Sequence, residues 1–246
     1  MKNFAGDDFL TPYESEYLIR DLHEIDIREY GSKRWIKQQE NLDRLNIQAH
    51  KNAIASTEEY VMETVTREEK IEVLIHQLLT CEAWKQKVLP LMAKHLSTIP
   101  SFKSYLALYH ESTLVNLLEV ILYHRTACES SDDALVELIG YCYRKFVNLL
   151  QAAEKGDLPK PQEGKELLKR TPEQDLHRNH KEIEFQAAVS CLSLIRFISD
   201  HMLGLSVPVV HAMMEAHDVP QVLVPILEAK PWLRTNHKGE EEKFED

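Results

Sequence analysis

The alternation of apolar and polar residues predicts amphipathic helices along most of the chain, most clearly between Tyr105 and Leu150. Apolar residues recur there every three or four positions, which is the spacing of one helix face. A polar turn separates the two halves and offers Ser130 as the N-cap of the second helix. One antiparallel hairpin cannot bury both of its apolar faces, so we expect similar hairpins on either side. The apolar positions are Leu114, Leu117, Leu118, Ile121 and Leu122, followed by Leu135, Leu138, Ile139, Cys142, Phe146 and Leu149.

Capping signals and proline divide the first hundred residues into further helices. Thr11 to Glu14 is a capping box with Pro12 at the first helical position. Gly31-Ser32 restarts the chain before a long amphipathic helix that begins near Trp35. Further starts are predicted at Ser56–Glu59 and Thr66–Glu69, then a helix that runs to Val88, a break or kink at Pro90, and a short helix from Leu91 to Leu96.

A segment with few apolar residues interrupts the pattern over about 151–181. It contains Gly156, Pro159, Pro161, Gly164 and Pro172. These residues predict a flexible, solvated loop, with one helical turn at Glu166–Lys169. Because the helical pattern resumes beyond it, the loop is interpreted as an insertion within one stack of helices.

The pattern after the loop indicates a helical repeat. Glu182 to Leu203 is apolar on most faces, as expected of a central buried helix. A short helix after Ser206, a Val-Pro turn at Val219-Pro220 and a leucine-rich helix follow, which is the rhythm of armadillo and HEAT repeats. We therefore predict an all-α protein, an armadillo/HEAT-like superhelical stack of helical hairpins. Residues 1–235 would form a single domain, and the polar tail 236–246 would begin a linker to a missing C-terminal part.

Composition and charge limit the cellular compartments and the classes of partner that are expected. The 29 Lys and Arg residues stand against 40 Asp and Glu residues, a formal net charge of -11, which disfavours nucleic-acid binding. No signal-peptide core appears at the N-terminus, and the longest apolar run, Ala187–Ile198, is too short and too polar to span a bilayer. We expect a cytoplasmic protein that does not insert into membranes. The four separated cysteines are expected to be buried, reduced thiols: Cys81, Cys128, Cys142 and Cys191.

One dipeptide, His217-Asp218, resembles the central pair of helical metal-dependent phosphohydrolases. Those enzymes need a further upstream histidine, for which His201 and His211 are available, and a downstream aspartate, for which only Asp246 remains. A turn dipeptide that caps the next helix explains the pair more simply.

The other histidines and cysteines give no recognised metal pattern. His124 and Cys128, with Cys142 and His110, form a conceivable set, but the paired Cys-x-x-Cys spacing typical of zinc sites is absent. Core packing and capping are the simpler interpretation. His177 and His180 lie in the predicted loop, where histidines are usually exposed to solvent.

No other pattern indicates catalysis. There is no Ser/His/Asp order with a glycine elbow and no phosphate-binding glycine loop. The three tryptophans could anchor partners but also fit core packing: Trp35, Trp84 and Trp232. The paired glutamates fit helix starts and a solvated tail. We predict a protein that is not an enzyme, with no catalytic, cofactor-binding or metal-binding residues and with partner-binding residues unknown.

Specific strings in the chain resemble a known family, the zinc finger MYND domain-containing proteins that act in dynein-arm assembly. The resemblance runs from about Leu10 to Trp232, to the N-terminal helical region of that family, and is weakest in the predicted loop. The strings are 35–49, 84–88, 110–119, 128–130, 141–145 and Pro231-Trp232.

The resemblance implies a cytoplasmic assembly factor for the axonemal dynein arms of motile cilia, similar in role to a co-chaperone adaptor. Its implied partners are a leucine-rich-repeat dynein assembly factor, an FKBP-type immunophilin, the ninety-kilodalton heat-shock chaperone and axonemal dynein chains. The family's MYND finger binds zinc, and this chain ends before any such finger, so no zinc is expected here. Two alternatives remain open: a generic armadillo-type receptor for peptides or cargo, and a helical metal-dependent phosphohydrolase.

Overall fold

A computed structural model describes residues 9–96, 101–159, 171–235 and 241–243. The helices are α1 (Pro12–Arg20), α2 (Lys33–Ala55), α3 (Tyr60–Arg67), α4 (Ile71–Lys87), α5 (Leu89–Leu96), α6 (Ser101–Leu122), α7 (Arg125–Ser130), α8 (Asp132–Glu154), α9 (Pro172–Asp200), α10 (Val207–His211) and α11 (Val219–Ala229). Two 3₁₀ turns, Ile27–Glu29 and Met202–Gly204, and a π-helical turn, Ala212–Ala216, connect them. The strands β1 (Leu233–Thr235) and β2 (Glu241–Lys243) form one antiparallel pair.

Side-chain caps explain where several helices begin. The Thr11 hydroxyl accepts the Glu14 amide and the Glu14 carboxylate accepts the Thr11 amide, so the predicted capping box of α1 is confirmed. Ser32 caps α2 by accepting the Trp35 amide at 3.2 Å. The preceding Gly31 has a φ of +83°, a left-handed conformation that suits glycine at this restart.

Two predicted helix starts are displaced in the structure. The helix predicted from Thr66–Glu69 begins only at Ile71, because Glu69 adopts a left-handed conformation and ends the preceding turn. The helix predicted to begin within Ser56–Glu59 begins at Tyr60, and no side chain caps its N-terminus. The break at Pro90 is confirmed, since α4 ends at Lys87 and α5 begins at Leu89.

Helix α6 is the centre of the packing. Its most extensive backbone contacts are with α9, and it also packs against α2 and α4. Helix α9 can approach closely because Ala187 and Ala188 lie buried on it. Helix α8 packs against α9, α4, α10 and α11. The all-α prediction is therefore confirmed, whereas the armadillo- or HEAT-like superhelix stays a prediction.

The central hairpin differs from the predicted one. A short helix, α7, replaces the simple polar turn, and α9 rather than α8 makes the most extensive contact with α6. The predicted N-cap is also wrong: Ser131 is the N-cap of α8, and the Ser130 hydroxyl donates to the Ala127 carbonyl at 3.0 Å. Both serines are used to close α7, because the Ser131 hydroxyl donates to the same carbonyl.

The loop predicted over about 151–181 is helical at both ends. Helix α8 continues to Glu154, and α9 begins at Pro172 because Thr171 and Gln174 form a second capping box. The turn predicted at Glu166–Lys169 lies outside the described residues. Within the predicted tail, Glu241–Lys243 pairs with Leu233–Thr235.

Two apolar clusters make up the core. The larger one joins side chains from α1 to α4 and from α6 to α11. The smaller one surrounds two buried tryptophans, Trp35 and Trp84, together with Ile25, Leu108 and Ile183. Among the described residues, no helix has the length and hydrophobicity that a bilayer crossing requires.

Candidate functional site

Four charged side chains from four helices form a closed ring inside the protein: Lys85 of α4, Glu111 of α6, Lys145 of α8 and Glu184 of α9. Each ammonium contacts both carboxylates. Lys145 Nζ lies 2.7 Å from Glu111 Oε1 and 2.6 Å from Glu184 Oε2. Lys85 Nζ lies 3.1 Å from Glu184 Oε1 and donates to Glu111 Oε2. The charges alternate in sign, so the ring is formally neutral.

The ring is almost wholly shielded from water. The side chains of Lys85 and Lys145 are each 3% exposed and that of Glu111 is 0% exposed, whereas Glu184 is 27% exposed. The Tyr141 hydroxyl donates to Glu111 Oε1 at 2.8 Å, which gives this carboxylate a third donor. Such pairing is what permits charges to be buried, because an uncompensated ion in the interior is strongly destabilising.

A hydrogen-bond network lies beside the ring and ties α2 to α6. His110 Nδ1 donates to Gln39 Oε1, and Gln39 Nε2 donates to Asp43 Oδ1 at 2.9 Å. The Thr113 hydroxyl donates to the same Asp43 oxygen at 2.7 Å. The network thus fixes the protonated nitrogen of His110 as Nδ1.

An aromatic cluster lies next to His110. The Tyr30 ring lies between Trp35 and Trp84, with ring centroids 4.4 and 4.5 Å away. Its hydroxyl oxygen is 3.1 Å from both the Ala107 carbonyl oxygen and Cys81 Sγ. Tyr30 thereby packs against the smaller apolar cluster around the two tryptophans.

The local electrostatics hold the lysines in their charged form. Burial alone lowers the pKa of Lys85 and of Lys145, but the Glu111 and Glu184 carboxylates outweigh burial and raise both pKa values. Burial raises the pKa of Glu184, but Lys145 and Lys85 reverse this and hold it well below the usual range. The four charges therefore stabilise one another near neutral pH.

Burial also keeps the neighbouring groups neutral. It raises the pKa of the Cys81 thiol to about 12, with the Glu111 charge as the next cause. It lowers the pKa of His110 to about 3, with a further contribution from Lys85. Nucleophilic chemistry needs a neutral amine or a thiolate, and none of these groups supplies one near neutral pH. The arrangement instead ties α4, α6, α8 and α9 together.

Two cavities flank the ring on the surface. One, of about 550 Å³, is lined by Lys85, Leu89 and Leu176 among others. The second, of about 280 Å³, is lined by Lys145 and Glu184. His177 and His180 line both cavities. These two histidines were predicted in a solvated loop, and that placement is wrong because they lie in the first turns of α9.

The His217-Asp218 pair has the capping role predicted for it. Asp218 Oδ1 accepts the Gln221 amide at 3.3 Å and is the N-cap of α11. The His217 ring stacks on Tyr143, with centroids 5.1 Å apart. His211 Nδ1 contacts Glu215, and His201 Nε2 contacts the Tyr123 carbonyl. Within the described residues, the histidines and the aspartate that a phosphohydrolase site would need therefore have separate partners; Asp246 lies outside the described residues.

The members of the other conceivable metal-binding set, His110, His124, Cys128 and Cys142, also contact different groups. His124 Nε2 lies 2.9 Å from Glu59 Oε2, and the Cys128 thiol donates to the Leu122 carbonyl at 3.2 Å. Cys142 lies beside Cys191, and all four cysteines are buried, as predicted. The described residues contain no group of three or more side chains placed to hold a metal ion.

The tryptophans divide between core and surface. Trp35 and Trp84 are 2% and 5% exposed, which confirms the interpretation of both as core residues. Trp232 is half-buried against the larger core cluster.

The sequence did contain a signal for the ring. Glu111 lies four residues after Ala107 and three before Leu114, directly in the apolar stripe of α6. Lys145 occupies the equivalent place between Tyr141 and Leu149 on α8. A charged residue within an apolar stripe indicates a buried partner of opposite charge, and our sequence reasoning missed this pattern.

Comparison with known proteins finds similarity to curated proteins. No family model matches the chain, and no solved structure matches it. A curated relative is the zinc finger MYND domain-containing protein 10 homolog of Drosophila melanogaster, which is 28% identical over 237 residues. The alignment covers 94% of this chain and 51% of the relative, so the chain spans about half the length of the protein it matches. The resemblance seen in the sequence is thereby confirmed, and the chain is a relative of zinc finger MYND domain-containing protein 10.

Proposed function

We propose that the chain is a non-enzymatic adaptor in the cytoplasm that assists assembly of the axonemal dynein arms of motile cilia. The observation that carries this proposal is the similarity to zinc finger MYND domain-containing protein 10 along 94% of the chain. The resemblance implies a co-chaperone-like role. Because the chain spans about half of that relative, the activity and the partners of the whole protein come to it only as proposals.

The geometry supports a scaffold. The charge ring and the Gln39–His110 network join α2, α4, α6, α8 and α9 through buried contacts, so their outer surfaces keep a fixed relative position. A surface that is already formed loses little conformational entropy when a partner binds. An armadillo- or HEAT-like stacking of these helices would present such a surface as an extended concave face.

The chemistry of the ring supports a role without catalysis. The lysines stay protonated and the Cys81 thiol stays neutral at physiological pH, so neither the amines nor the thiol is available as a nucleophile. The proposed partners are a leucine-rich-repeat dynein assembly factor, an FKBP-type immunophilin, the ninety-kilodalton heat-shock chaperone and axonemal dynein chains.

Co-purification tests the proposal. The tagged chain, residues 1–246, is used as bait in cytosol from multiciliated epithelial cells, and an unrelated acidic helical protein of similar size is the control bait. We expect mass spectrometry to show enrichment of axonemal dynein chains or of the chaperone set over the control. A bait that is folded by circular dichroism and enriches none of the proposed partners would contradict the proposal. A generic peptide receptor would instead recover other proteins through short linear segments.

A further inference from the structure

Two threonine-proline pairs occur in the sequence, and each of them stands at the start of a helix. Thr11-Pro12 begins α1 and Thr171-Pro172 begins α9; in both pairs the threonine is the N-cap and the proline is the first helical residue. A threonine followed by proline is the substrate pattern of proline-directed protein kinases, whose active sites accept a residue without a backbone N–H at the second position. The two pairs are therefore candidate modification sites, and the structure distinguishes between them.

The pair at the start of α9 is open to solvent. Thr171, Pro172, Glu173 and Gln174 are all exposed. Thr171 has an extended backbone, with φ at −79° and ψ at 154°, and its peptide bond to Pro172 is trans. Proline-directed kinases bind an extended substrate with a trans proline. Only the exposed first turn of α9 then has to open for a kinase to bind, and helix ends open at a small cost in free energy. The pair at the start of α1 shares this exposure and backbone.

The two threonine hydroxyls differ in their hydrogen bonds. The Thr11 hydroxyl donates to the Glu14 carboxylate at 2.8 Å. At the equivalent position α9 has Gln174, whose side-chain oxygen accepts the Thr171 amide at 3.0 Å. The Thr171 hydroxyl accepts the Gln174 amide at 3.3 Å and donates to no acceptor within the described residues. The hydroxyl proton that a kinase must remove is therefore held by a charged acceptor at Thr11, which is a strong kind of hydrogen bond, and is free at Thr171.

A phosphate group on Thr171 would change the surface beside it. Thr171 lines the cavity of about 550 Å³ that flanks the charge ring, together with Leu89, Leu176 and His177. A phosphate group carries a charge of about −1.5 to −2 near neutral pH. Phosphorylation would therefore make one edge of a largely apolar cavity strongly anionic, and a partner that binds this surface in one state would bind it less well in the other.

We propose that Thr171 is a phosphorylation site for a proline-directed protein kinase and that it is preferred over Thr11. In the reaction, Thr171 Oγ1 attacks the γ-phosphorus of ATP, the bond from that phosphorus to the oxygen bridging it to ADP breaks, and the hydroxyl proton passes to a base of the kinase. The products are the phosphorylated Thr171 side chain, ADP and a proton. The proposal does not depend on the identity of the partners in the proposed function, because it concerns one side chain and one class of enzyme.

A kinase assay on the whole chain tests the proposal. The chain is incubated with ATP and a purified mitogen-activated protein kinase, and myelin basic protein is the positive control substrate. Mass spectrometry of proteolytic fragments gives the rate at each threonine. We expect Thr171 to be phosphorylated at least about five-fold faster than Thr11, because a hydrogen bond to a carboxylate has to be broken at Thr11. Pro172→Ala, which keeps the hydroxyl, should slow the reaction at Thr171 by about ten-fold or more.

Exchange of the residue three positions after each threonine tests the physical cause. Glu14→Gln frees the Thr11 hydroxyl and should raise the rate at Thr11 by about five-fold, whereas Gln174→Glu should lower the rate at Thr171 by a similar factor. Both variants retain a capping box, so neither removes a helix start. Glu16→Gln is the matched control, since Glu16 pairs with Arg20 and should leave the rate at Thr11 unchanged. Circular dichroism confirms that each variant is folded.

Three results would overturn the proposal. In the first, the kinase phosphorylates myelin basic protein and leaves Thr171 unmodified. In the second, Thr11 and Thr171 are phosphorylated at equal rates. In the third, the exchanges at Glu14 and Gln174 leave both rates unchanged, so the hydrogen bond of the hydroxyl does not decide the preference. None of these results bears on the co-purification of dynein-assembly partners, so the two proposals fail separately.

Discussion

At the scale of single residues, the stability of the buried ring depends on equal numbers of positive and negative charges. Glu111 faces two ammonium groups and the Tyr141 hydroxyl, and it is wholly buried. Taking any ion out of water costs several kcal/mol, and only partners of opposite charge offset that cost. Each of the four side chains is therefore tolerated because the other three are present.

We predict that Glu111→Gln lowers the free energy of unfolding by about 3–5 kcal/mol, because it leaves two buried ammonium groups with a single carboxylate. Urea unfolding followed by circular dichroism measures this change. Glu16→Gln is the matched control, since Glu16 pairs with Arg20 on the surface and should change stability by less than about 1 kcal/mol. Equal effects of the two variants would rule out a special role for the buried carboxylate.

His110 gives the ring region a defined pH response. Its pKa is about 3 in the folded protein, chiefly because of burial, against about 6.5 in an unfolded chain. Below pH 6.5 the unfolded state binds a proton that the folded state does not, so the stability is lost as the pH falls. The expected loss is about 1.4 kcal/mol per pH unit between these two values.

His110→Asn tests this response, because an asparagine side chain can still donate to Gln39 and does not titrate. Urea unfolding at pH 7.5, 6 and 5 should show that the variant loses less stability on acidification than the natural protein. The other titrating groups are common to both proteins, so their effects cancel in the comparison. Parallel stability curves would mean that His110 does not cause the response.

At the scale of helices, local signals in the sequence predict where a helix begins better than they predict which helices pack against each other. The capping box at Thr11 was identified, and the box at Thr171, which has the same Thr-Pro start, was overlooked because proline and charge dominate its surroundings. The stripes on α2, α4, α6 and α8 were also identified. Nothing in the stripe of α6 indicates that α9 contacts it most, since that depends on long-range packing.

We predict that Thr171→Ala frays the beginning of α9. Loss of an N-cap costs about 1 kcal/mol, so the amides in the first two turns should exchange with deuterium about five-fold faster. Amides beyond Ala187, where α9 is buried against α6, should keep their rates. Hydrogen exchange with mass spectrometry measures both regions. Thr171→Ser retains the hydroxyl and should preserve the natural rates; uniformly faster exchange would point to global destabilisation instead.

At the scale of the whole molecule, buried polar contacts link α2, α4, α6, α8 and α9, and the surfaces they leave exposed are candidates for partner binding. The position of the ring could have been predicted from charged residues in apolar stripes. Its closed pairing could not, because Lys85 and Glu184 are separated by 99 positions.

The central claim is that the ring links the helices as one closed set of charges, and a double-mutant comparison tests it most directly. Lys145→Met and Glu184→Met each leave an excess buried charge, whereas the double variant leaves the neutral Lys85–Glu111 pair. Unfolding free energies are measured in urea for all four proteins. We predict that the double variant is at least as stable as the Lys145→Met single variant, with a coupling energy above about 1 kcal/mol. Additive losses, with the double variant less stable than either single one, would contradict the account.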